Sequence, residues 1–267
     1  MLKRYDPHLH IREIVLVGCG GTGSAIARYL ARLLVHMRAL NISVPTLTLI
    51  DPDIVEPRNI GRQQFVPATI GMPKSQAVSL MLSSALGLPI RYITEKFDAR
   101  QHIGRSRYGV LLIDAVDNHL ARREINTLSS VSLISCGNGR HFSQVCLGES
   151  SRETMLRYLQ QVEDRQQTLG EKDTLRHLPH PYVLFPQLLE PDEEELVEAE
   201  SCSTLVAQQE QALYVNDITA LVAVRYVQQI LLREPVESFI TFTNMQGALT
   251  TRAIPVTIPN IRSYLEG

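Results

Sequence analysis

The sequence predicts an α/β fold: a Rossmann-like sheet with flanking helices, followed by a long C-terminal helix and an antiparallel hairpin. Three observations predict it. Short apolar runs alternate with stretches of helical periodicity through the first half of the chain. A glycine-rich turn joins the first of those runs directly to the first helical stretch. Near the C-terminus two β-rich runs flank a short turn containing Gly247.

Taken in order, Ile14, Val15, Leu16 and Val17 form a continuous apolar run, the pattern of a strand covered on both faces. Ile26, Leu30, Leu33 and Leu34 recur at helical spacing and predict a helix over 24–37. Residues 47–50 are the next strand, and 74–86 a helix introduced by Pro73. Strands follow at 90–94, 110–113 and 131–135, with a helix at 120–128 between the last two. Residues 152–161 are helical in pattern. The stretch 203–232 reads as one long helix, and 239–243 with 248–256 as the hairpin.

Between residues 151 and 201 periodicity fades, and seven of the eleven residues from Glu190 to Glu200 are acidic. Such a run is expected to be a solvated, flexible crossing. The expected organisation is therefore an α/β core over 1–150, a flexible crossing over 151–201, and a helix and hairpin over 202–267 that complete the same domain.

Bulk composition excludes several classes of function. The 267 residues are 44% hydrophobic and 20% charged, ordinary for a globular protein. A net charge of −2 offers no basic surface for nucleic acid. The apolar runs are far too short for a bilayer span, and the first eight residues hold no apolar signal segment, so a cytoplasmic location is the default expectation. Cys19, Cys136, Cys146 and Cys202 form no C-x-x-C pair; free thiols and no zinc site are expected.

The chemistry begins at Gly18-Cys-Gly-Gly-Thr-Gly23, where Gly18, Gly20 and Gly23 make a G-x-G-x-x-G between strand and helix. Glycine there lets backbone N–H groups approach a phosphate, and the helix N-terminus favours the anion. Asp51, 28 residues after Gly23, ends the second strand, where a carboxylate can accept from ribose hydroxyls. An NAD(P)-dependent oxidoreductase shares both features. Three residues further along point away from hydride transfer: Asn59, Arg62 and Lys74 place polar and cationic groups beyond the ribose carboxylate. A departing pyrophosphate needs cations; a nicotinamide does not. Arg62 suits bidentate contact with phosphate oxygens, and Lys74 is a mobile point charge at a helix start. Asp117 and Asn118 come just after the strand at 110–113, at the carboxyl end of the sheet. Asp117 suits Mg²⁺, which takes one or two carboxylates beside phosphate oxygens, whereas Asp114 either caps the next helix or shares the metal. Asn118 and Asp117 are equally good N-caps.

The set Gly18, Gly20, Gly21, Gly23, Asp51, Asn59, Arg62 with Gln63, Lys74, Asp117 and Asn118 resembles the nucleotide site of the ThiF/MoeB/HesA superfamily, which includes the activating enzymes of ubiquitin and its relatives. In detail the chain is similar to the ThiF-family proteins of bacterial PRTRC cassettes. The resemblance implies an ATP-dependent adenylyltransferase acting on the C-terminal carboxylate of a small β-grasp protein ending in Gly-Gly, or on another carboxylate, with release of pyrophosphate. It implies Gly21 in the phosphate loop, Asp51 on ribose, Asn59, Arg62 and Lys74 on phosphates, and Asp117 on Mg²⁺ with Asn118 beside it. It also implies a homodimer, in which Arg4 or Arg12 is the residue available to reach a neighbouring site. The two zinc-binding C-x-x-C pairs of many members are absent. Cys202 stands where acceptor cysteines occur in relatives that go beyond adenylation; a helix start favours its thiolate, and Glu198 and Glu200 oppose it. A non-catalytic nucleotide-binding module of the same fold is the remaining alternative.

Overall fold

The computed structural model describes residues 4–6, 10–61, 63–103, 108–128, 131–169, 174–191 and 214–266. Its centre is an eight-stranded sheet. The parallel part contains β2 (Glu13–Val17), β3 (Thr46–Ile50), β4 (Ile90–Ile93), β5 (Val110–Asp114) and β6 (Ser132–Asn138). The short β1 (Arg4–Tyr5) pairs outside this sheet. Along the chain β2, β3 and β4 step one way, and β5 then returns to the other side of β2. Strand order therefore reverses between β2 and β5, the place where open α/β sheets bind ligands.

The alternation within these strands explains their burial on both faces. Ile14 and Leu16 of β2 face one hydrophobic cluster, and Val15 and Val17 the other. Leu111 and Ile113 of β5 divide from Val110 and Leu112 in the same way. Helix α1 (Gly21–Ala39) begins three residues before its expected start, inside the glycine loop. It packs with α2 (Lys74–Leu86) and with a later helix on the first face, through Ile26, Leu30 and Leu34. The short α3 (Ala99–His102) and α4 (His119–Asn126) cover the second face, with Ala99 and Ile125 in its cluster.

The second half of the chain builds onto the same sheet. Strand β7 (Phe142–Gly148), for which the sequence pattern gives no counterpart, runs antiparallel to β6 and carries that strand three residues past its expected end. The predicted hairpin is present as β9 (Ser238–Asn244) and β10 (Thr250–Pro255), and β9 pairs with β7 to extend the sheet. Helix α7 (Val215–Leu232) is the described part of the long C-terminal helix; residues 203–213 lie outside the described residues. Helix α8 (Ile258–Glu266) closes the chain.

The stretch expected to cross flexibly contains α5 (Arg152–Leu169), β8 (Thr174–Leu175) and α6 (Pro181–Leu184). Met155, Leu159, Leu175 and Leu178 are fully buried, β8 pairs with β1, and Tyr182 reaches the second hydrophobic cluster. In the described residues of this stretch up to 191, apolar anchors spaced widely in sequence reach both hydrophobic clusters. The acidic residues 192–200 lie outside the described residues. No helix among the described residues is long and apolar enough to cross a membrane.

Candidate nucleotide site

The glycine loop sits at the β2/β5 reversal. Gly18 has φ +89°, a left-handed conformation that glycine adopts without strain. A Cβ on Gly18 would meet the carbonyl oxygen of Ala115, just past β5, at 2.6 Å. A Cβ on Gly23 would overlap the carbonyl oxygen of Gly18, so the turn folds onto itself before α1 begins. The residue spacing is thus a packing requirement, and it leaves the first N–H groups of α1 at the carboxyl end of the sheet.

Asp51 directly follows β3 beside this loop and is buried. Its Oδ2 accepts from the Cys19 backbone N–H at 2.5 Å and its Oδ1 from the Asp53 N–H at 2.8 Å. One carboxylate therefore ties the glycine loop to the strand end. Burial raises the Asp51 pKa, opposed by those two N–H donors and by Lys74. Ser75 in α2 donates to the Asp51 carbonyl oxygen at 3.1 Å and to that of Ile93 at 2.8 Å, locking α2 against β3 and β4.

Lys74 is the first residue of α2, where a cation opposes the helix dipole. Its Nζ pairs with Asp53 Oδ2 at 2.9 Å, and its backbone N–H donates to the Asp53 carbonyl oxygen at 2.7 Å. The lysine side chain is only 12% exposed, and Asp53 screens it from outside at 64%. Asn59 is buried and its Oδ1 accepts from the Glu56 N–H at 2.8 Å, closing a capping box around the short turn Pro57–Asn59. Gln63 lies near Gly20, and its Oε1 is buried with no partner among the described residues.

At the end of β5 the two aspartates separate. Asp114 is fully buried, with Oδ1 accepting from the Val116 N–H at 3.0 Å, and Oδ2 accepting from Ser135 Oγ at 2.8 Å and Tyr182 Oη at 2.5 Å. Asp114 thus serves as an acceptor for a turn and two side chains, and the cap of the next helix is Asn118 instead. Asp117 is exposed. Asn118 is the N-cap of α4, its Oδ1 accepting from the Ala121 N–H at 2.9 Å.

The structure brings Gly18, Gly20, Gly21, Gly23, Asp51 and Lys74 to one corner of the sheet, with Asp117 and Asn118 on the loop after the neighbouring strand β5. Arg62 and Cys202 lie outside the described residues. Both arginines suggested for a neighbouring site have partners within the chain: Arg12 Nη2 donates to the Tyr108 carbonyl oxygen at 2.7 Å, and Arg4 Nε lies 3.8 Å from Glu237. Cys19, Cys136 and Cys146 are buried free thiols, their pKa values raised first by desolvation. None of them is an activated nucleophile.

Sequence reasoning missed Thr22, Asn138 and Asn216. Thr22 in α1, Asn138 at the end of β6 and Asn216 in the first turn of α7 hydrogen-bond one another beside Gly21. Two lone asparagines in separate elements carry no periodic or spacing signal. Only their meeting marks them.

A parallel sheet with its strand reversal at a glycine loop, and an acidic residue directly after the next strand, defines a Rossmann-like protein. The particular family is set by the sequence as a whole: the chain belongs to the ThiF family, whose model matches residues 7–257. No curated protein matches it. Among solved structures it is similar to PaaA, with a TM-score of 0.57 and 15% identity over 92% of this chain and 64% of that one. It is also similar to Escherichia coli MccB with ATP, with a TM-score of 0.54 and 12% identity over 94% and 66% of the two chains. A third is the microcin C7 biosynthetic enzyme MccB in complex with N-formylated MccA, with a TM-score of 0.56 and 12% identity over 91% and 65%. The chain spans slightly less than two thirds of the length of these proteins.

Proposed function

We propose that this chain is an ATP-dependent adenylyltransferase that activates a carboxylate, the C-terminus of a small ubiquitin-like or sulfur-carrier-like β-grasp protein, and releases pyrophosphate. The observation that carries the reading is Lys74, a largely buried cation at a helix start beside Asp51. Locally that position disfavours a cation, and a triphosphate supplies the reason to keep one there. An oxidoreductase gains nothing from it. The MccB structures, one with ATP and others with MccA, support the same reading by fold.

The residues present fit the nucleotide. Side chains at Gly18, Gly21 and Gly23 would meet neighbouring atoms, so the loop keeps its backbone N–H groups open to phosphate. Asp51 retains lone pairs for ribose hydroxyls beyond the two N–H groups it accepts. In the proposed reaction a carboxylate oxygen attacks the α-phosphorus, the bond to the oxygen bridging to the β-phosphate breaks, and pyrophosphate carries away that electron pair. No proton moves, so no general base is assigned. Lys74 neutralises the leaving group once it exchanges Asp53 for phosphate, and Arg62 acts with it; Asn59 shapes the loop between them. Asp117 is the exposed carboxylate that would hold Mg²⁺, which would supply positive charge to the phosphates, and Asn118 orients that loop as the α4 cap. We assign this chemistry to a cytoplasmic homodimer, with Cys202 as the acceptor of any later acyl transfer.

Thermal unfolding with MgATP, NAD and NADP tests the reading. MgATP is expected to raise the melting temperature by mass action, and the dinucleotides to leave it nearly unchanged. A shift with NAD and none with ATP overturns it.

A further inference from the structure

Asn216 lies directly over the glycine loop. Its Oδ1 accepts from Thr22 Oγ1 and from Asn138 Nδ2, each at 2.7 Å, and Asn138 Nδ2 also donates to Thr22 Oγ1 at 2.7 Å. These bonds, from α1, β6 and α7, hold the oxygen of the Asn216 carboxamide towards Thr22 and Asn138. The nitrogen is therefore the end that lies against Gly21. A Cβ on Gly21 would overlap it. Asn216 Nδ2 has no hydrogen-bond partner among the described residues. A carboxamide already immobilised by its oxygen offers its N–H groups without further loss of side-chain entropy. They stand where the first turn of α1 favours an anion.

We infer that Asn216 donates a hydrogen bond through Nδ2 to a phosphate oxygen seated on the glycine loop, with Thr22 and Asn138 as positioning residues that aim it. The inference rests on the nucleotide reading of that loop and deepens it. Helix α7 supplies a ligand-contacting group to a site otherwise built by the first half of the chain. It also assigns Gly21 a reason distinct from those of Gly18 and Gly23: it leaves room for the amide, not for a backbone turn.

Asn216→Asp separates this role from a structural one. Aspartate keeps an oxygen for Thr22 and Asn138 but replaces the N–H donor with an anionic oxygen. An acidic residue in the first turn of α7 also suits the helix dipole, so folding is expected to hold. Calorimetric titration of wild type and variant with MgATP is expected to show a dissociation constant raised at least about tenfold, the loss of a hydrogen bond to a charged group. Adenosine, which has no phosphate, is expected to bind both proteins alike. An unchanged constant for MgATP overturns the assignment, and so does a parallel loss for adenosine. Should Asn216→Asp fail to fold, Asn216→Ala takes its place with the same expected loss and the same overturning results. If wild type binds NAD and not ATP, the adenylation reading falls while the same comparison on NAD still decides Asn216. Wild type that binds neither overturns both.

Discussion

Tyr182 donates its hydroxyl to Asp114 Oδ2 at 2.5 Å, in the interior of the protein and across 68 residues of chain. The bond fastens α6 to the end of the strand that abuts the glycine loop. Tyr182→Phe removes one of the hydroxyl donors that satisfy a fully buried carboxylate, leaving Ser135 and the Val116 N–H. The expected loss of stability is about 1.5–3 kcal/mol, measured by the denaturant midpoint at constant slope. A variant as stable as wild type would mean that Asp114 finds another donor without cost.

Lys74 separates function from stability. Its partner Asp53 is largely exposed, so the ion pair itself is worth about 0–1 kcal/mol. Lys74→Ala is therefore expected to unfold within about 1 kcal/mol of wild type. With a cognate carboxylate, ATP–pyrophosphate exchange is expected to fall by about 100-fold or more, as for loss of one preorganised charge from a developing anion. Near-normal exchange places Lys74 outside the site.

Two glycines of the loop predict different costs. A Cβ on Gly23 meets backbone, the Gly18 carbonyl oxygen, while one on Gly21 meets side-chain atoms of Asn216. Gly23→Ala is expected to destabilise more than Gly21→Ala in thermal unfolding. Adding Asn216→Ala should relieve most of the Gly21→Ala effect, a coupling that a double-mutant cycle reads directly. Additive effects would show that the amide does not press on Gly21.

Glu149 predicts a dependence on pH. This buried carboxylate accepts from Tyr5 Oη at 2.9 Å and the Leu178 N–H at 3.3 Å, and its Oε1 lies 3.1 Å from His177 Nδ1. Desolvation raises its pKa above the ordinary 4.5, with the hydrogen bonds opposing. The folded state then holds the proton more tightly than the unfolded chain. Glu149 therefore contributes stability that is fully present below pH 4.5 and is lost as pH rises through the folded pKa. The stability of wild type relative to Glu149→Gln should accordingly decline with rising pH across that window, measured by denaturant unfolding at several pH values. A flat difference would refute the shift.

Much of the α/β half was legible because its signals are local. The run from Ile14 to Val17, the glycine spacing and Asp51 lie within one βαβ unit, and each arises from a steric or solvation demand on neighbouring residues. Strand β7 was hidden because β6 and β9 bury it by pairing, not by a long apolar run of its own. The stretch after residue 151 read as a crossing because Leu175, Leu178 and Tyr182 obey no single period, yet all three are buried.

By itself, the sequence determined the strand–glycine loop–helix unit, the acidic residue that follows β3, the helix beginning at Lys74 and the hairpin at the C-terminus. Periodicity, turn chemistry and capping act over a few residues and leave a readable pattern. Only the tertiary structure decided that Asp114 is held by Tyr182, that Lys74 pairs with Asp53, and that Asn216 and Asn138 meet Thr22 over Gly21. Thr22 and Asn216 are 194 residues apart. A hydrogen bond between them needs only one suitable group at each end, which no local spacing encodes, and the packing of α7 against α1 is what brings the two within 2.7 Å.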